Sequence, residues 1–251
     1  MSERIRVLLR GAAGRMGREV CRSVEEAADL ELVARIDLGD DLGQALERCG
    51  AEVAVDFTAP EALDAGIPPL IEAGLRVIVG TSGVGERQLE TWRSLVERHG
   101  GSVLVVPNFS LGMVVMQRLA EQAVASFPDL EILELHHEQK VDSPSGTAQD
   151  TALRLAEARK KAGRGPEAPP DDSAFRGGRV AGIPVHSLRL PGVLAQQQIL
   201  FGGPGELLTL RHDTLSRQAF MPGVCLAIRR IGQLDGLCIG LESCLPGLSG
   251  R

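Results

Sequence analysis

Two hydrophobic periods alternate along the first hundred residues, and this alternation restricts the fold more than any other feature of the chain. Short, nearly continuous apolar runs at residues 5–9, 31–36, 53–56, 76–79 and 103–106 have the character of strands buried on both faces. Between them, residues 15–27, 61–73 and 86–98 carry their apolar side chains at helical spacing, where right-handed crossover helices belong. The pattern predicts an α/β fold: a doubly wound, Rossmann-type sheet whose ligand site lies at the carboxyl ends of the strands.

After Asn108 the rhythm changes. A helix is expected at 111–126, a strand at 130–138 and a helix at 147–161, followed by a Gly/Pro/charge-rich stretch at 162–179. Strands at 180–190, 194–201 and 206–212 come in close succession with Pro-Gly and Gly-Gly-Pro-Gly turns between them, which predicts an antiparallel meander. This part reads as an α+β domain with an open mixed or antiparallel sheet. A helix at 218–233 and a strand at 237–241 are apolar enough to return to the first sheet. The expected division is therefore 1–109 with 216–251 as a dinucleotide-binding domain and 110–215 as a substrate domain.

Composition narrows the function. The 251 residues include 27 basic and 33 acidic side chains, a net charge of −6, with none of the basic excess that phosphate neutralisation demands. One Trp, six Phe and no Tyr offer few platforms for stacking bases, so no nucleic acid partner is expected. Five cysteines without a Cys-x-x-Cys pair fit free thiols in a reducing cytosol. The charged start, Ser2-Glu3-Arg4, lacks the apolar run of a secretory signal, and no stretch reads as a bilayer span.

The strand at 5–9 runs into Gly11-Ala12-Ala13-Gly14-Arg15-Met16-Gly17 and then a helix. Such a turn bends sharply, brings backbone close to a pyrophosphate and aims a helix N-terminus at it. Asp37, at the end of the second strand, stands where a carboxylate accepts hydrogen bonds from the adenosine ribose. The residues that follow, Leu38-Gly39-Asp40-Asp41, include no cation for a 2′-phosphate, so NADH is expected to serve at least as well as NADPH. Arg10, Arg15 and Arg35 are the cations that a strong NADPH preference would implicate. Phe57 and Thr58, Gly80, Thr81 and Ser82, and Pro107, Asn108 and Phe109 end further strands facing the same crevice.

The densest polar run is Glu134-Leu135-His136-His137-Glu138-Gln139-Lys140-Val141-Asp142-Ser143-Pro144-Ser145-Gly146-Thr147-Ala148. Ser145 or Thr147 caps the helix that begins there, and its free N–H groups with Lys140 form a pocket for an anion. Neighbouring residues on a strand face opposite ways, so at least one of His136 and His137 can be structural. A histidine beside an anion pocket suits proton donation near neutrality. No third His or Cys stands nearby at zinc-ligand spacing, and no metal is expected.

The same residues resemble a known family. Gly11–Gly17, Asp56-Phe57-Thr58, Gly80-Thr81-Ser82-Gly83, Asn108-Phe109-Ser110 and the run from His136 to Ala148 are similar to the 4-hydroxy-tetrahydrodipicolinate (dihydrodipicolinate) reductase family over nearly the full length. The resemblance extends to 186–192, 201–205, 211–213 and 220–223. It implies a cytoplasmic enzyme of diaminopimelate and lysine synthesis that reduces a small cyclic dicarboxylate with NADH or NADPH after loss of water. It further implies His136 as proton donor with Lys140 as its charged partner, and His137, Lys140, Ser145, Gly146 and Thr147 as the substrate's holders. A homotetramer joined through the second domain's sheet is also implied. The chain departs from the family pattern at Gln196-Gln197-Gln198, where relatives often carry a His or Glu, and in the short segment between Asp37 and Asp56.

Other readings share parts of this pattern. An aspartate or homoserine dehydrogenase has a similar two-domain plan, and a non-catalytic dinucleotide sensor could use the same fold. The sensor has no need of His136, Lys140 and an anion pocket in one segment. The expected mechanism holds the dinucleotide on the glycine turn and the substrate at Lys140 and Gly146–Thr147, with closure near Asn108 and Ser216.

Overall fold

The structure, a computed structural model, describes residues 4–163 and 176–245. The chain divides into two compact units, Met1–Leu111 with Phe220–Arg251, and Gly112–Ala219. Most of the expected Gly/Pro/charge-rich stretch at 162–179 lies outside the described residues.

The first unit holds β1 (Ile5–Arg10), α1 (Arg15–Glu26), β2 (Leu30–Ile36), α2 (Leu42–Cys49), β3 (Val53–Asp56), α3 (Leu63–Glu72), β4 (Arg76–Val79), α4 (Glu86–His99) and β5 (Ser102–Val105). Two later elements, α7 (Met221–Arg230) and β11 (Gly236–Ile239), return to it. The sheet runs β11-β5-β4-β3-β1-β2, and every pair is parallel. All four residues of β3 and of β5 are buried, as strands covered on both faces must be. Leu8, Ala54, Val77 and Val103 pack with Leu70, Ile67 and Trp92 of α3 and α4 in one core.

One element had no counterpart in the sequence reading. The helix α2 is only eight residues long and buries none of them fully, although Leu42, Ala45, Leu46 and Cys49 stand at helical spacing and pack against the core. Its start is set locally: Asp41 accepts the N–H of Gln44 at 3.0 Å, the side-chain cap that orphan helix donors need.

The second unit contains most of α5 (Leu111–Ala123), then β6 (Asp129–His136), α6 (Gly146–Lys161), β7 (Gly178–Val180), β8 (Ile183–Arg189), β9 (Ala195–Gly203) and β10 (Glu206–Thr214). Its sheet has the order β10-β9-β6-β8-β7. The expected meander is corrected here. β8 and β9 are not neighbours; β6 lies between them, parallel to β8 and antiparallel to β9. Alternating polarity and turn residues mark a strand without naming its partner. The expected single strand at 180–190 is also broken, because Ala181 and Gly182 have φ of 49° and 81°. Two successive positive φ values suit the tight turn that makes β7 and β8 a hairpin.

Candidate functional site

Register across the first sheet sets out the dinucleotide candidates. Arg10 pairs with both Ile36 and Asp56, Asp56 with Val79, and Val79 with Val105. The residues that follow, Gly11, Asp37, Phe57, Gly80 and the segment before Pro107, thus leave one edge of the sheet together. The strand order reverses between β2-β1 and β1-β3, the switch point at which open parallel sheets bind ligands.

The glycine turn is shaped by its own packing. Gly11 has φ 78°, and a Cβ there would overlap the Phe57 carbonyl. A Cβ on Gly17 would overlap the carbonyl oxygen of Gly11. α1 starts at Gly14 with no side-chain cap and no acidic residue in its first turn, while Ala13, Gly14 and Arg15 are exposed and Met16 half-buried. An exposed helix N-terminus without a side-chain cap fits a pyrophosphate. Asp37 lies against the turn: its two oxygens accept the Ala13 N–H at 2.9 and 3.0 Å. A cavity of about 540 Å³ beside them is lined by Ala13, Arg18, Arg22, Arg35 and Asp37 among others.

The neighbouring strand ends hold a polar network that the sequence reading did not foresee. Asp56 is fully buried and pairs with Arg10. Its Oδ1 accepts the Thr58 N–H at 3.2 Å, the Thr58 hydroxyl at 2.9 Å and the Thr81 hydroxyl at 2.6 Å. The hydroxyls of Thr58 and Thr81 are therefore engaged within the protein, and Arg10, named as a possible phosphate cation, is engaged with Asp56. Arg35 likewise pairs with Glu25. Phe57 and Phe109 stack at a tilt with centroids 5.3 Å apart, and both rings lie against Gly80. Ser82 and Pro107 are exposed, and Asn108 Oδ1 accepts the Ser110 N–H at 2.8 Å.

The second unit gathers the substrate candidates around a residue not singled out before, Glu134. His136 Nδ1 lies 2.5 Å from Glu134 Oε2, and the Ser145 N–H donates to Oε1 at 3.2 Å. Arg189, also unforeseen, donates to both carboxylate oxygens at 3.1 and 3.0 Å. Burial pushes the Glu134 carboxyl up, but hydrogen bonds from His136, Arg189 and Ser187 outweigh it and hold the pKa down to about 2. The available signal was spacing: residues two apart on a strand share a face, so Glu134 had to accompany His136.

His136 is held by Glu134, and Lys140 by a different carboxylate. The Lys140 Nζ donates to Asp142 at 2.8 Å, and that hydrogen bond lowers the Asp142 carboxyl. His137 accepts the Lys140 N–H on its carbonyl at 3.1 Å. Of the two capping candidates, Ser145 caps α6: its Oγ accepts the Ala148 N–H at 3.2 Å. Gly146 is exposed and Thr147 half-buried in the first turn. Gln197 is buried in the same unit and donates to Thr151 of α6 at 2.9 Å, whereas Gln196 and Gln198 are only half-buried.

Comparison with known proteins covers both units. Residues 5–109 match the family described as dihydrodipicolinate reductase, N-terminus, and residues 112–245 that described as dihydrodipicolinate reductase, C-terminus. A 4-hydroxy-tetrahydrodipicolinate reductase of Beutenbergia cavernae is 46% identical over 96% of this chain and 98% of its own length. That of Nocardia farcinica is 45% identical over 95% and 97%. A solved structure, dipicolinate-bound dihydrodipicolinate reductase from Paenisporosarcina sp. TG-14, is 36% identical with a TM-score of 0.85, covering 96% of this chain and 100% of that one.

Proposed function

The chain belongs to the dihydrodipicolinate reductase family, and from that premise we propose how its two units divide the chemistry: the first holds a reduced nicotinamide dinucleotide, the second a small cyclic dicarboxylate and the proton donor. The reaction is the reduction of 4-hydroxy-tetrahydrodipicolinate to tetrahydrodipicolinate with loss of water, in diaminopimelate and lysine synthesis.

The observation that carries the residue assignment is the sharing of one buried carboxylate by His136 and by the capped end of α6. The N-terminus of α6, with Ser145, Gly146 and Thr147, receives a substrate carboxylate, because the positive end of the helix dipole favours an anion. Lys140 adds a positive charge to the same segment, and His137 lines it. A bound reduced nicotinamide supplies a hydride to a ring carbon. His136 delivers a proton, directly or through an oriented water, to the charge that develops on the ring. In the first unit the α1 N-terminus takes the pyrophosphate, Asp37 the ribose, and residues 57–58, 80–82 and 107–109 the nicotinamide end.

The direct test mixes the protein with NADH and synthase-generated substrate and follows the loss of nicotinamide absorbance, with aspartate and homoserine as controls. Turnover of the dicarboxylate alone is expected; activity confined to either control would overturn the reading.

NADH should serve at least as well as NADPH, since Asp37, Asp40 and Asp41 crowd the ribose end and Arg10 is engaged with Asp56. Kinetics with a large NADPH preference would reverse this and point to Arg15, or to Arg18, which lines the adjacent cavity. We also propose a homotetramer formed through the sheet face bearing Leu133, Leu135, Leu188 and Leu200, opposite the face that packs on α5 and α6; light scattering at a monomer mass would refute it. The proposed compartment is the cytoplasm, where the five thiols stay reduced.

A further inference from the structure

Glu134 and His136 stand two residues apart on β6, so both side chains leave one face of the strand. β8 brings Arg189 into register with His136. Glu134 is fully buried, where a carboxylate persists only if its charge is matched and its oxygens are hydrogen-bonded. Three elements meet that demand: His136 at the end of β6, Arg189 on β8 and the Ser145 N–H at the cap of α6. Arg189 then extends the link to the segment between β6 and α6. Its Nε donates to the Lys140 carbonyl at 3.2 Å and its Nη2 to the Asp142 carbonyl at 2.6 Å.

We propose that Glu134 is the positioning residue of the reaction: it holds the Nδ1–H of His136, so that the imidazolium carries its transferable proton on Nε2 and is left as the neutral Nδ1–H tautomer after giving it up, and it sets the Ser145 end of α6 for the substrate carboxylate. This rests on the roles given above to His136 and α6. An ionised carboxylate only accepts hydrogen bonds, so its contact with Nδ1 fixes which ring nitrogen faces it and leaves Nε2 for the substrate. Filling space requires no such group, since an apolar or amide side chain of similar size would occupy the same volume. The charged groups around the carboxylate are His136 from β6, Arg189 from β8, and Lys140 and Asp142 from the connecting segment; Ser187 and Gln197 are its register neighbours on β8 and β9.

The test is the full-length Glu134→Gln protein, read by steady-state kinetics with synthase-generated substrate and by nitrogen-15 NMR of its five histidines, His136 being assigned from His136→Asn. We expect kcat to fall about 10–100-fold, the usual cost of losing a group that orients an imidazole, with the KM for NADH unchanged. The His136 signal should lose its Nδ1–H tautomer signature. Because Gln leaves the half-buried Arg189 without its counter-charge, Glu134→Gln/Arg189→Met is made alongside; it should regain folding but not turnover. A folded variant with wild-type kcat, or an unchanged His136 tautomer in either variant, would overturn the proposal. If the wild-type protein fails to reduce the substrate, the assignment of function fails instead, while the tautomer readout, which needs no turnover, still decides the role of Glu134.

Discussion

Asp56 and Glu134 are buried carboxylates of the same design, one in each unit, each matched by an arginine and by donors from the segment after a strand. Removing one partner of such a pair strands a charge, at about 3–5 kcal/mol, so Arg189→Met should lower the unfolding free energy by that amount in urea titrations. The depressed pKa of Glu134 carries a sign. Its ordinary value is 4.5 and its folded value about 2, so its contribution to stability is fully present above pH 4.5 and is lost as pH falls toward 2. Circular dichroism should record unfolding free energy dropping through that window, and Glu134→Gln should flatten the drop. His136→Ala and Lys140→Ala should each reduce kcat by about 10²–10⁴-fold, the range for a general acid; near-normal turnover in both would remove their assigned roles.

At the scale of elements, the turn before α1 and the start of α6 are two helix N-termini finished differently. The first is closed by backbone contact, since Gly17 leaves no room for a Cβ beside the Gly11 carbonyl. Gly17→Ala should therefore cost about 1–3 kcal/mol as an overpacked site and weaken NADH binding, measured by thermal melting and nucleotide fluorescence. The second is closed by a side chain, and Ser145→Ala should lose about 1 kcal/mol and raise the KM of the dicarboxylate. α6 is further tied down by Thr151, which accepts from Gln117 and Gln197 at 2.9 Å each. That gives Gln197 a structural role in holding α6 against β9, where composition alone offered none. The glycine turn was legible because each of its glycines answers a local steric demand. α2 was less so: Leu42, Ala45, Leu46 and Cys49 keep helical spacing and pack on the core, but they span only two turns.

At the scale of the whole chain, the parallel sheet of the first unit follows from its connections, for a strand–helix–strand unit can close in essentially one hand. The return of β11 beside β5 rests on the same apolar continuity. The second sheet has no such rule. β6 is claimed on one side by β8 and on the other by β9, and no local feature of residues 180–212 distinguishes that order from a meander. This placement has a chemical result: it puts Arg189 next to His136 and so completes the carboxylate cluster. The sequence by itself determined the periods, the glycine turn, the capped start of α6 and the segment carrying His136 and Lys140, since each depends on residues within a few positions of one another. Only the tertiary structure decided that Arg10 serves Asp56, that Glu134 rather than Lys140 meets His136, and that β6 lies at the centre of its sheet. Those outcomes depend on which distant strands pair, and pairing is settled by competition for buried area and for charge compensation across the whole unit.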